Sequence, residues 1–169
     1  MLILTVLFVT GTGTQVCSAA EGDTSGTADG AQAADPFSGE AGYSAVLYNN
    51  ANGLPTSEAN AIAETADGFL WIGSYGGLTR YDGNSFVPVE GAGITGVNCL
   101  CADSKGRLWI GTNDSGIFLM EKGQLRRFGT EDGLRSSSVR AVVEGPDGTV
   151  YAATTKGIVL FDEELSVSV

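Results

Sequence analysis

From about residue 50 onward, short apolar runs alternate with polar turns that contain glycine. In the first unit Ala59 to Thr65 alternates small, apolar and polar residues, and Phe69 to Ser74 is almost entirely apolar. Leu78 to Tyr81 and Ser85 to Val89 follow, each set off by a glycine turn. Runs of this length bounded by turn residues predict β-strands, and a nearly continuous apolar run predicts a strand covered on both faces. Asp67-Gly68 and Asp82-Gly83-Asn84 have the chemistry of tight hairpin turns, where glycine supplies a positive φ. No stretch of ten or more residues shows helical periodicity with caps, so the pattern predicts an all-β chain.

The pattern repeats. Asp67-Gly68-Phe69-Leu70-Trp71-Ile72-Gly73-Ser74 returns as Lys105-Gly106-Arg107-Leu108-Trp109-Ile110-Gly111-Thr112, and again as Asp147-Gly148-Thr149-Val150-Tyr151-Ala152-Ala153-Thr154. The aromatics at 71, 109 and 151 are 38 and 42 residues apart. Ala59, Val97 and Val139 stand twelve residues before them, and Gly53, Gly91 and Gly133 six residues earlier still. Four antiparallel strands recurring every ~40–45 residues predict β-propeller blades, here about 50–90, 91–130 and 131–169. An additional strand is expected at Tyr43–Tyr48. Propellers usually close with 4–8 blades, so three blades and one N-terminal strand predict an incomplete arc. Its two end faces would need the remaining blades or a self-association partner. A fragment of a longer receptor and an arc that pairs with another are both consistent with that count.

Gly53-Leu54-Pro55, Asp67-Gly68-Phe69-Leu70-Trp71-Ile72-Gly73 and Gly77-Leu78-Thr79-Arg80-Tyr81-Asp82-Gly83 resemble the two-component regulator propeller repeat. The resemblance spans roughly Tyr43 to Phe161. The first copy fits best, the second replaces the turn aspartate with Lys105, and the third replaces the tryptophan with Tyr151. Such repeats occur in extracytoplasmic sensor regions of bacterial membrane receptors, whose outputs are histidine kinases, often hybrid, or diguanylate cyclases. The resemblance therefore implies a non-catalytic ligand-sensing domain, with any kinase or cyclase outside this chain.

The first 42 residues fit an exported protein. Leu2 to Val9 is apolar, too short to span a membrane but the length of a signal-peptide core, and Val16 to Ala20 offers small residues for cleavage. Residues 1–20 thus read as a signal-peptide-like segment without its usual basic start. Residues 21–42 read as a flexible acidic linker of Ala, Gly, Ser and Thr. The expected location is extracytoplasmic, periplasmic or at the cell surface, with membrane attachment only through the leader or segments beyond this chain.

Charge narrows the partners. The 169 residues carry 20 acids and 9 bases, a formal net charge of −11, and every base lies at or after Arg80. No basic stripe exists, so nucleic acid is not an expected partner. There is no histidine, which removes the commonest general base and imidazole metal ligand. Cys99 and Cys101, two apart on a predicted strand, point to one face and read as small core residues rather than a disulfide or metal pair. No cofactor and no catalytic constellation is expected.

Trp71, Trp109 and Tyr151, with Gly68, Gly106 and Gly148, read as blade construction because they recur in register. Function is expected where the copies disagree, in loops held by the blades. Leu54–Glu58, Ser74–Gly76, Thr112–Ser115, Arg135–Ser138 and Thr154–Lys156 are expected to gather at one end of the channel. There Tyr75, Asn113, Asp114, Arg135 and Lys156 are the candidate binding residues, suited to a small polar ligand or a glycan. Two other readings stay open: a fragment of a secreted propeller enzyme such as a polysaccharide lyase or glycosidase, and a structural interaction arc.

Overall fold

The computed structural model describes residues 46–90 and 93–168. The expected leader and linker, residues 1–20 and 21–42, lie outside them. Among the described residues twelve strands form three four-stranded antiparallel sheets. Blade 1 holds β1 (Ala61–Glu64), β2 (Leu70–Ser74), β3 (Gly77–Tyr81) and β4 (Phe86–Pro88). Blade 2 holds β5 (Val97–Ala102), β6 (Leu108–Thr112), β7 (Ile117–Glu121) and β8 (Gln124–Phe128). Blade 3 holds β9 (Val139–Glu144), β10 (Val150–Thr154), β11 (Gly157–Phe161) and β12 (Val167–Ser168). Each sheet is a simple meander, and β5 lies against both β1 and β9, so blade 2 sits between its neighbours. Among the described residues no strand joins one sheet to another, and the propeller is an open arc.

The turns explain the glycines that recur. Gly68, Gly106 and Gly148 have φ of 84°, 75° and 81°, a region that only glycine enters without strain. Their hairpins fix the register that places Trp71 opposite Ala63, Trp109 opposite Cys101 and Tyr151 opposite Val143. The described part of the expected N-terminal strand, 46–48, is not strand; Tyr43–Ala45 lie outside the described residues. Tyr48 instead lays its ring on Tyr81 and Phe86, at centroid distances of 5.6 and 5.2 Å, and its hydroxyl lies 3.0 Å from that of Tyr81.

The core sits between blades, not within them. One cluster joins Trp71 and Leu78 of blade 1 to Leu108, Ile110 and Phe118 of blade 2. The other joins Trp109, Ile117, Leu119 and Phe128 of blade 2 to Val142, Val150, Val159 and Phe161 of blade 3. Each blade therefore has a leading face toward the preceding blade and a trailing face toward the next. Close approach is allowed by Gly73 and Gly111, whose added Cβ would collide with Val97 and with Cys99 and Val139. Trp71 packs in the first of these clusters and Trp109 in the second.

Candidate functional site

Successive antiparallel strands sort the connections onto two edges of the arc. The starts of the inner strands and the loops between second and third strands share one edge, here called the rim. The turns between first and second strands, and between third and fourth, share the other.

The rim is tied across blade boundaries. Gly96 donates its N–H to the Tyr75 carbonyl at 2.9 Å, and Asn113 donates to the Gly96 carbonyl at 2.8 Å. At the next boundary Gly116 donates to Ser137 at 2.9 Å, and Thr155 donates to Ser138 at 3.1 Å. The Ser136 and Thr155 hydroxyls are 2.8 Å apart. Side chains add a second set of ties. The Asn60 amide donates to the Val97 carbonyl at 3.0 Å, and the Asn98 amide donates to the Val139 carbonyl at 2.9 Å. Both asparagines stand eleven residues before their aromatic, one blade apart.

The predicted site residues all lie on this edge. Tyr75 is 63% exposed in the loop between β2 and β3, and Asn113 occupies the equivalent position of blade 2. Asp114 follows it, accepting a bond from the Ser115 hydroxyl at 2.9 Å. Arg135 is exposed on the connection into blade 3, and Lys156 is exposed in the loop between β10 and β11. The structure links Tyr75 to Asn113 through Gly96.

Sequence reasoning missed Arg140. It stands eleven residues before Tyr151, where the other blades carry Asn60 and Asn98. The asparagines reach forward to the next blade, but Arg140 directs Nη1 to Asn113 Oδ1 at 3.4 Å and stays exposed. The signal was present: this column breaks the repeat as clearly as Tyr75 does. An aromatic, an amide and a guanidinium, with a carboxylate beside them, can stack against and hydrogen-bond a polar ligand.

Cys99 and Cys101 are unsuited to chemistry. Cys99 and Cys101 both pack against the cluster between blades 2 and 3. Burial pushes the Cys99 thiol up to about 12 and raises Cys101 as well. The thiolate is the reactive form, so both should resist alkylation. Iodoacetamide at pH 8 is expected to label them at least ~10-fold more slowly in the native chain than in urea, followed by peptide mass spectrometry; equal rates would contradict their burial. The sign for stability follows. The folded chain keeps the Cys99 proton while the unfolded thiol, near ~8.5, releases it. Stability is therefore highest below that value and declines as pH rises toward about 12. Among the described residues no group of three or more Cys, Asp or Glu side chains is arranged to hold a metal ion.

The opposite edge carries an open cleft of about 390 Å³ between blades 1 and 2, lined by Asp67, Phe69, Trp71, Arg80, Met120 and Lys122 among others. None of the five predicted site residues borders it.

The sequence model of the two component regulator propeller matches residues 53–76 and 93–114, which span the inner strand and Trp-Ile-Gly strand of blades 1 and 2. The chain carries two-component regulator propeller repeats. Blade 3 keeps their strand order and register without a match of its own.

Solved propellers agree in fold. The extracellular domain of BT3049 from B. thetaiotaomicron, described as a hybrid two component system, superposes with a TM-score of 0.64 at 24% identity, over 71% of this chain and 18% of that one. The extracellular domain of BT4673 from the same organism, described as a one component system, gives 0.60 at 21%, over 71% and 19%. Virginiamycin B lyase from Staphylococcus aureus gives 0.51 at 20%, over 65% and 40%. The chain thus spans about a fifth of the two extracellular domains and two fifths of the lyase. No curated protein matches it by sequence. Among the described residues no helix of the propeller repeats is long and apolar enough to cross a membrane.

Proposed function

We propose that this chain forms part of an extracytoplasmic ligand-sensing propeller of a bacterial signal-transduction receptor. It is non-catalytic in itself and binds a small polar ligand, such as a glycan, on the rim. The observation that carries this reading is the rim itself. Tyr75, Asn113 and Arg140 depart from the repeat, remain exposed and are joined across three blades by Gly96 and by the Arg140–Asn113 bond. Everything beneath them is repeat construction, the usual division between rigid scaffold and variable binding loop. The repeat family and the likeness to extracellular domains of two component systems support the location and the signalling role.

The enzyme reading has less support. The lyase structure that holds quinupristin is of a variant inactivated by a histidine-to-alanine substitution, and this chain contains no histidine. A screen of neutral and acidic oligosaccharides by thermal shift and calorimetry tests the proposal. At least one is expected to bind. Tyr75→Ala and Arg140→Ala should each weaken it by about tenfold, or ~1.4 kcal/mol, without shifting Tm of the free chain. No binder, or a binder indifferent to both changes, would overturn the rim site. Cleavage of a polysaccharide would establish the enzyme instead.

A further inference from the structure

The cleft on the edge opposite the rim marks a difference between the two blade boundaries. At the boundary of blades 2 and 3 the corresponding space is filled. Phe161 is fully buried with its ring 4.9 Å from that of Trp109, and Lys105 meets Glu163 at 3.2 Å. At the boundary of blades 1 and 2, Met120 stands in the register of Phe161, and Asp67 and Lys122 stand where Lys105 and Glu163 do. Met120 is only partly buried, and among the described residues no ion pair joins Asp67 to Lys122. A space of about 390 Å³ stays open against Trp71. That volume lies in the lower part of the range for small-molecule sites. Boundary 2–3 has open space beside β8 and Leu165, about 410 Å³, but no aromatic residue lines it.

The lining of the first cleft is specific in kind. Phe69, Trp71 and Met120 give it an apolar wall, and Arg80 and Lys122 give it two cations. Arg80 departs from the repeat, since Leu119 and Leu160 hold its register in the other blades. Its guanidinium lies 4.4 Å over the Phe69 ring, and no carboxylate among the described residues pairs with it. Stacking fixes the guanidinium plane and leaves its in-plane N–H groups available, the geometry that takes a carboxylate in bidentate fashion. Lys122 is held at a φ of 50°, where blade 1 has Gly83 at 91°. A left-handed conformation is costly for lysine, and such strain is found at ligand clamps. Asp67 already accepts the Thr65 hydroxyl, so the unpartnered charge of the cleft is positive.

We propose that this cleft is a second binding site, separate from the rim, for a small aromatic carboxylate. The ring packs among Phe69, Trp71 and Met120, and the carboxylate takes Arg80 and Lys122.

The probe is naphthylacetate, with naphthylethylamine and naphthylethanol as charge controls. Trp71 and Trp109 are the chain's two tryptophans, so their indole N–H signals in proton–nitrogen correlation spectra report the two boundaries separately. Naphthylacetate is expected to move the Trp71 signal with a Kd of ~1 mM or below and to leave Trp109 in place. The alcohol should bind at least ~10-fold more weakly, and the amine more weakly still. Met120→Phe should weaken naphthylacetate at least ~10-fold without lowering Tm, because the larger ring fills the cavity. Arg80→Gln should remove most of the preference for the acid over the alcohol. Lys122→Asn should weaken the acid several-fold without lowering Tm, since asparagine adopts the left-handed conformation more readily. A Trp71 signal that stays fixed at ~10 mM naphthylacetate would overturn the site. Equal binding of acid and amine in the unmodified chain would overturn the ligand class. Unchanged affinity in Met120→Phe would place the probe elsewhere and overturn the cleft.

Discussion

Trp109→Ala should lower the free energy of unfolding by ~3–5 kcal/mol, the range for truncating a large buried aromatic. Trp109 is 0% exposed and has aromatic neighbours from two blades, Phe128 at 6.3 Å and Phe161 at 4.9 Å between centroids. Its loss opens a cavity at the boundary on which blade 3 depends, and it strands the Asp103 carboxylate that accepts its indole N–H at 2.8 Å. Trp71→Ala should fall at the lower end of the range. Trp71 borders the open cleft, so less packing is lost, and its indole donates only to the Thr65 hydroxyl, at 2.9 Å. Urea denaturation followed by circular dichroism measures both. Unchanged stability in Trp109→Ala would refute the interblade role.

Asp103→Ala is the second large effect, again ~3–5 kcal/mol, because it breaks a buried ion pair by removing one partner. Asp103 Oδ2 takes Arg107 Nε at 2.6 Å, and the two side chains are 0% and 5% exposed. The backbone N–H groups of Lys105 and Arg107 donate to Oδ1 at 3.1 and 2.8 Å. Alanine would leave a guanidinium, an indole N–H and a turn without their acceptor. Blade 1 shows a neutral solution at the same register: Thr65 accepts the indole bond and Phe69 replaces the arginine, with Arg80 lying 4.4 Å over its ring. The double change Asp103→Thr with Arg107→Phe should therefore recover most of the loss, a strong departure from additivity. A double variant no better than Asp103→Ala would show that the pair is needed for more than satisfying its own buried groups.

The third blade clarifies this column. Six residues before each aromatic stand Thr65, Asp103 and Gly145. Tyrosine has no indole N–H, so Gly145 needs no acceptor, and an added Cβ there would come within 2.9 Å of the Tyr151 ring. The substitution at 151 and the one at 145 are a single event in packing terms.

Strands, turns and blade register were legible in the chain because they depend on contacts a few residues apart: glycine turns set each hairpin, and the apolar runs set its faces. The rim loops were legible for the same reason, since they are the places where aligned copies diverge. Arg140 and the Asp103 network were not. Each takes its meaning from a partner's geometry. Arg140 is distinguished from Asn60 and Asn98 only by where its guanidinium goes, and Asp103 only by the indole it faces.

By itself, the sequence determined a three-blade all-β array and its register, because local periodicity and turn chemistry leave one reading. Only the tertiary structure decided which face of each blade leads, which side chains cross a boundary, and which apolar face is left uncovered. Those depend on residues about forty positions apart coming into contact, and no local pattern encodes how two sheets meet.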